Sequence, residues 1–483
     1  MAKIQYAGEY IVEECVLCTV GGLELDLKEQ LATVSIFEDI FKNSITGTIS
    51  FVDTNNLTAN ASIVGQEKLK LILVTPNADD LNDRTMAINF SDTPLHVFKV
   101  SSSININDRT KTFSLSFTTN EIVRNNHIRV SQSYSGEPAK EIIKKVIRDP
   151  LLLNSKKEFY YEETTNLFKM VAPNMRPFDF INTVARRCLS KEYDFAPTFL
   201  FYETIKGYYF RTIDSMMDRK NPRMVFKEVT PNEDVDNIAQ NLTNILDYQI
   251  MNSTDTILNT RAGMYASDLL LVDVFNKSYK HYEYSYLDDF DKNIHADEFN
   301  KYGSSQAPIA SKAPDQYGNK ISDYPKSILH VQSIERETID GLFDPAHGEA
   351  NDYRGTDLWL QKRKSRFSSL DAAISVRIKV PGNTTIQAGD LVGIILKNQT
   401  GTESALDPYL TGRYLVRNLK HEFTKGAGQM KHLIHLDCIR DTVQVAYPSS
   451  GVTAIDGGDS TELIIPRDNK ARFSMALPLD SII

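Results

Sequence analysis

Cysteine is scarce in this sequence: four occur in 483 residues, at positions 15, 18, 188 and 438. So few thiols cannot build a disulfide scaffold, and they fit folding in a reducing cytoplasm. Tryptophan occurs once against 22 Tyr and 23 Phe, which leans towards β structure because aromatic rings fit a pleated surface. No stretch of eighteen apolar residues exists, and the opening MAKIQYAGEYIVEECV lacks an uninterrupted apolar segment. Neither a membrane-spanning helix nor a secretion signal is therefore expected, and no stable membrane association. Basic charge is in deficit, with a formal net charge of −9. A protein that wraps nucleic acid needs clustered Lys and Arg, so wrapping is excluded although DNA passing nearby is not. Also missing are GxSxG, Walker A, HExxH and any GxGxxG leading into a helix, the signatures of common hydrolases, nucleotide binders and zinc proteases.

What is present is strand patterning, in a chain long enough for two to four domains. The stretch Ser35 to Val74 carries it most clearly. Ile49 and Phe51 alternate with Thr48 and Ser50, and Leu69, Leu71 and Leu73 alternate with Lys68, Lys70 and Ile72. Period two marks half-buried strands. Before them stands an apolar knob of Ile36, Phe37, Ile40 and Phe41, which suits either a core or a loop that inserts into a neighbour. Further strands are predicted at Leu95 to Ile106 and Thr110 to Thr118, around a turn at Asn107-Asp108-Arg109. Strands with one apolar face close on themselves or pack on another sheet, so residues 1–125 are expected to form a small barrel or sandwich.

Residues 126–236 read as a compact α+β domain. Ala139, Ile142, Ile143, Val146 and Ile147 share one face of a helix that ends before Pro150, and Phe178, Ile181, Ala185 and Cys188 share a face of a second. Residues 237–445 return to strands, including the apolar run LLLVDV. A Gly-, Pro- and Ser-rich insertion interrupts them at 300–327, and a helix at 355–371 carries Lys362, Arg363, Lys364 and Arg366. Residues 446–483 read as an extended tail that docks on something. Ile63 to Leu73 can be laid on Ile386 to Leu396 with a one-residue slip, and each is followed by a long hairpin, the second turning at Lys425 to Gly428. The prediction is a mainly-β fold in which two barrels of like topology are separated by a small α+β domain.

No constellation carries chemistry convincingly. Cys15 and Cys18 lie on a strand, which sends them to opposite faces, and neither a second cysteine pair nor a helix N-terminus accompanies them. His421, His432, His435 and Asp437 form the densest histidine group. His432 and His435 point to opposite faces of a strand, so a wet barrel surface is the better reading. The adjacent pairs Glu13-Glu14, Asp79-Asp80, Glu162-Glu163 and Asp288-Asp289 sit in polar stretches, whereas glycoside hydrolysis needs carboxylates facing across a cleft. The basic run Lys362 to Arg366 reads as a solvated helix face or a protein contact. No catalytic, cofactor-binding or metal-binding residue is expected; a cell-wall hydrolase is the rival from another class.

The run LELDLKEQLATVSIFEDIFKNSITGTISFVDTNNL with IVGQEKLKLILVTP, the segment RAGMYASDLLLVDVFNKSYKHYEYSY, and VPGNTTIQAGDLVGIIL with TGRYLVRNLKHEFTKG together resemble the baseplate hub proteins of contractile-tailed, myovirus-type bacteriophages. The resemblance spans residues 5 to 445. It implies two tube-protein-like β-barrels per chain and a homotrimer whose six barrels join the hexameric tail tube to the trimeric central spike. Implied partners are tube or tube-initiator proteins, the spike and other baseplate proteins, with DNA only in transit. The implied setting is the virion tail, assembled in the host cytoplasm. The alternative within this architecture is the hub of a related contractile injection or secretion apparatus. Ile36, Phe37, Ile40 and Phe41 are the candidate assembly contacts. The 300–327 insertion and the tail after 446 depart from a minimal hub, and no spike-like repeat follows.

Overall fold

The computed structural model describes residues 6–442, except 55–60, 76–86, 102–103, 108–109, 166, 195, 220, 230–240, 252–253, 275–276, 297–318, 334–338, 341–357, 372–373, 398–405, 408 and 427–428. The expected tail at 446–483 and most of the expected insertion at 300–327 lie outside the described residues.

The first nine strands are β1 (Ile11–Cys18), β2 (Glu24–Asp26), β3 (Leu31–Asp39), β4 (Thr46–Asp53), β5 (Lys68–Val74), β6 (Ala87–Asn89), β7 (Leu95–Val100), β8 (Ile104–Asn107) and β9 (Thr110–Thr118). They form an antiparallel sheet in the order β3-β4-β9-β7-β5-β1-β2, with β6 on β5 and β8 on β9. Period-two alternation gathers Ile49, Phe51, Leu69, Leu71, Leu73, Phe113, Leu115 and Phe117 into one core. Each such side chain contributes about 1.5–3 kcal/mol on burial. Of the apolar knob, Ile36 and Phe37 lie in β3, while Ile40 and Phe41 fall in the turn that follows it. Cys15 is buried and Cys18 is not, as opposite faces of β1 require.

An α+β unit follows, with β10 (Ser133–Pro138), β11 (Phe159–Tyr161), β12 (Leu167–Val171), β13 (Leu200–Thr204) and β14 (Gly207–Arg211). The helix Ala139–Arg148 buries Ala139, Ile142, Ile143, Val146 and Ile147, the five residues its periodicity selects. Proline starts both long helices: Pro138 caps this one, and Pro177 opens the helix Pro177–Ala185. Their inner faces share a core with Phe199, Phe201 and Phe210.

The remaining strands are β15 (Val225–Glu228), β16 (Asn244–Ile245), β17 (Asp247–Ile250), β18 (Ala266–Asp273), β19 (Ser278–Ser285), β20 (Leu329–Ser333), β21 (Ile339–Asp340), β22 (Ile374–Pro381), β23 (Leu391–Ile395), β24 (Gly412–Gly426) and β25 (Gln429–Arg440). The apolar run LLLVDV falls in β18, which belongs to a separate three-stranded sheet with β19 and β20. A second half-sheet consists of β15, β16, β17 and β22 to β25, and closes because β17 pairs with β22 while β16, one residue earlier, pairs with β15. Phe226 of β15 lies in its core, so this half-sheet begins within the span read as the α+β domain.

The two halves repeat one plan. The orders β3-β4-β9-β7-β5 and β17-β22-β25-β24-β23 match, and every neighbouring pair is antiparallel in both. Register matches too. Ser35 lies opposite Thr48 and Thr48 opposite Ser116; Gln249 lies opposite Arg377 and Arg377 opposite Asp437. A one-residue bulge interrupts β7 at Phe98 and β24 at the equivalent Arg417. The turn before β5 contains Gly65 at φ +88° and the turn before β23 contains Gly389 at φ +85°, a region that favours glycine. In each turn a buried acid accepts main-chain N–H bonds: Glu67 from Val64, Gly65 and Gln66, and Asp390 from Gln387. Where the plan breaks is the next strand outward, since β1 runs antiparallel to β5 but β15 runs parallel to β23.

Candidate functional site

Among the described residues, the part with the most unusual construction is the joint between the two half-sheets. Strand β24 serves both. Its Leu415 pairs with Leu391 of the second barrel, and beyond the bulge Asn418 to Thr424 pair with Asp39 to Thr33 of β3. Strand β25 follows it along the whole length, so the tip of this hairpin enters the first barrel and Phe423 joins that barrel's core. The first barrel then closes through the tip. Lys431 bridges Glu9, the His432 N–H donates to the Gly8 carbonyl at 2.7 Å, and the Tyr6 hydroxyl donates to the Met430 carbonyl at 2.9 Å. One barrel is incomplete without strands of the other.

Two histidines expected on a wet surface are inside this joint. His421 and His432 are both fully buried, with Nδ1 of His421 at 3.1 Å from Nε2 of His432 and Nδ1 of His432 at 2.9 Å from the Thr75 hydroxyl. The His432 ring stacks on Phe423 with centroids 3.9 Å apart. Burial pushes His421 down to about 3, and burial together with the neighbouring His421 holds His432 well below the usual histidine range, so both are neutral at pH 7. Only the other members face outward, His435 with Glu422 at 2.8 Å and Asp437 with Arg377 at 2.5 Å. The correction has a physical source: period two puts His421 and His432 on the inner face, but only the inter-barrel pairing makes that face dry. Among the described residues no group of three His, Cys, Asp or Glu is arranged to hold a metal ion.

Around the joint, the four candidate contacts divide. Ile36 and Ile40 are fully buried in the chain's own cores, while Phe37 and Phe41 are 37% and 40% exposed. Phe41 meets Phe367 edge-on and lies under the Arg417 guanidinium. Between them stands Glu38, which sequence reasoning passed over. Its carboxylate accepts from the Ile205 N–H of the α+β unit at 2.8 Å and from the Ala388 N–H of the second barrel at 2.9 Å. Ile40, Tyr202 and Leu415 then bring one side chain from each unit into a shared apolar core.

The basic run is the second correction. Lys362 and Arg366 are buried rather than solvated. Arg366 donates to Asp441 at 2.6 Å, the same carboxylate meets His295 at 2.8 Å, and Arg363 donates to the carbonyls of Pro197 and Phe199. Burial works against the Asp441 carboxylate, but Arg366 and His295 outweigh it and hold its pKa far below the usual range. These cations tie the helix Arg363–Asp371 to the α+β unit and to the end of β25. The pair Glu162-Glu163 also separates: Glu162 accepts from Ser190 and Thr212, and Glu163 pairs with Lys140. Among the described residues no helix is long and apolar enough to cross a membrane.

No family model matches the chain, and no curated protein does. Among solved structures, the tail protein from Neisseria meningitidis MC58 superposes with a TM-score of 0.50 at 9% identity, covering 90% of this chain and 97% of that one. The chain has the fold of a tail protein. Also similar are the 43 kDa tail protein of prophage MuSo2 from Shewanella oneidensis, with a TM-score of 0.47 at 10% identity over 89% of this chain and 98% of that one. A type VI secretion system component from E. coli, described as structurally similar to T4 bacteriophage tail proteins, gives 0.39 at 7% identity over 92% of this chain and 79% of that one.

Proposed function

We propose that this chain is a non-enzymatic baseplate hub subunit, three copies of which form a pseudo-hexameric ring that joins a hexameric tail tube to a trimeric central spike and lets DNA pass. The observation that carries this reading is the in-register duplication of the two half-sheets. Three such chains present six similar barrels to a six-fold partner and three identical chains to a three-fold one, which adapts the two symmetries without a separate adaptor. The fold match to a tail protein over nearly the whole chain supports the same reading. Obligate interfaces of this kind bury on the order of 2,000–5,000 Å² and are apolar. Phe37 and Phe41, exposed beside the joint, are proposed as contacts for a neighbouring tube subunit. The acidic excess of the chain suits a channel wall along which a polyanion slides without sticking.

Native mass measurement of the purified chain, alone and with its spike partner, tests the proposal. Three copies per particle are expected, and Phe37→Asp is expected to leave the trimer folded while weakening tube attachment. A chain that stays monomeric in both conditions sinks the hub reading.

A further inference from the structure

Among the described residues the joint between the barrels occurs once, yet the duplication supplies both of its halves twice. One half is the hairpin beyond the bulge at Arg417, which lies along β3. Its counterpart in the first barrel is the end of β7 beyond Phe98, namely Lys99 and Val100, together with β8. Among the described residues this end and β8 pair only with β9, while the earlier part of β7 also pairs with β5. The other half is β3. Its counterpart is β17, which among the described residues pairs only with β22. Each copy of the chain therefore carries one joint already made and the two unmatched edges of a second.

Exposure marks those edges as incomplete. Ile36 and Ile250 occupy the same register position, opposite Gly47 and Val376, yet Ile36 is 0% exposed and Ile250 is 46% exposed. Leu419 and Val100 are likewise equivalent, opposite Leu436 and Leu115, at 1% and 38%. Beside them Phe98, Ile104 and Leu246 are exposed at 51%, 64% and 51%. An open strand edge with apolar neighbours is a template for another strand. The intramolecular joint shows which strand fits it.

We propose that the β8 edge of one copy pairs antiparallel with the β17 edge of the next, reproducing between chains the contact that β24 and β3 make within one. The register follows from the duplication. Glu422 lies opposite Ser35 in the existing joint; Ile104 is the counterpart of Glu422 and Gln249 the counterpart of Ser35, so Ile104 falls opposite Gln249. The pairing covers Ile250, Val100 and Ile104, and makes the two kinds of joint alternate around a ring. It deepens the hub reading, on which it rests, by naming the two surfaces that meet.

The test is cross-linking of the full chain carrying Ile104→Cys and Gln249→Cys, both exposed positions. Opposed residues in an antiparallel ladder have Cα atoms about 4.5–5.5 Å apart, within disulfide reach. Oxidation is expected to give covalent oligomers from the double variant, dimers from a mixture of the two single variants, and none from either single variant alone. Ile250→Lys is expected to raise the concentration needed for assembly by about tenfold or more. Assembly without these cross-links overturns the edge pairing and leaves the ring standing; absence of assembly in the unsubstituted chain overturns both.

Discussion

Glu38 stands on a strand of the first barrel while its two carboxylate oxygens accept from the α+β unit and the second barrel, so one side chain holds three parts of the molecule. Burial pushes its pKa up to about 7, against the two N–H bonds that favour the charged form. The folded pKa thus lies above the unfolded value of 4.5, and stabilisation from the neutral carboxyl is complete below that value and lost as pH rises towards 7. Chemical denaturation should find this group contributing at most about 3 kcal/mol more at pH 4 than at pH 8. Glu38→Gln should flatten that part of the profile, and an unchanged slope in the variant would remove Glu38 as its source. At this scale the sequence was only partly readable. The splitting of Cys15 from Cys18 follows from strand period alone, whereas the burial of Glu38, His421 and His432 depends on strands far away in the chain.

The hairpin of β24 and β25 is the element that makes two barrels into one sheet, and its seat is narrow. A Cβ on Gly382 would lie 2.0 Å from Nδ1 of His432, whose backbone also bonds Gly8 and Gly382. Gly382→Ala should therefore cost about 1–3 kcal/mol by overpacking. It should also speed hydrogen exchange in residues 418–433 while leaving the helix Ala139–Arg148 protected. Equal protection of the tip in both proteins would show that the seat tolerates a methyl group. Helices were legible because their period is local: the five inward residues of Ala139–Arg148 were all selected from spacing. The pairing of Asn418 with Asp39 joins residues 379 positions apart (418 − 39), and no local pattern encodes it. The same reason explains the basic run. Its charges looked solvated because the partners of Arg366, Asp441 and His295, are remote in sequence.

At the scale of the whole molecule, the duplication was visible as a faint likeness between Ile63–Leu73 and Ile386–Leu396, and the structure extends it to five strands, a bulge and a glycine turn in matched register. Mainly-β architecture with an α+β insertion was likewise legible from patterning. What sequence could not supply was that the barrels share a hairpin, because each half reads as a self-contained set of strands. Shared strands make the spacing and orientation of the two barrels a property of one sheet rather than of a linker, which suits the proposed ring of six similar barrels. Averaged end-on images of the assembled protein test this most directly. The account requires three chains arranged as six similar barrels around one open channel, with intrachain and interchain joints alternating. Three well-separated two-barrel particles around the axis, or a closed centre, would contradict it.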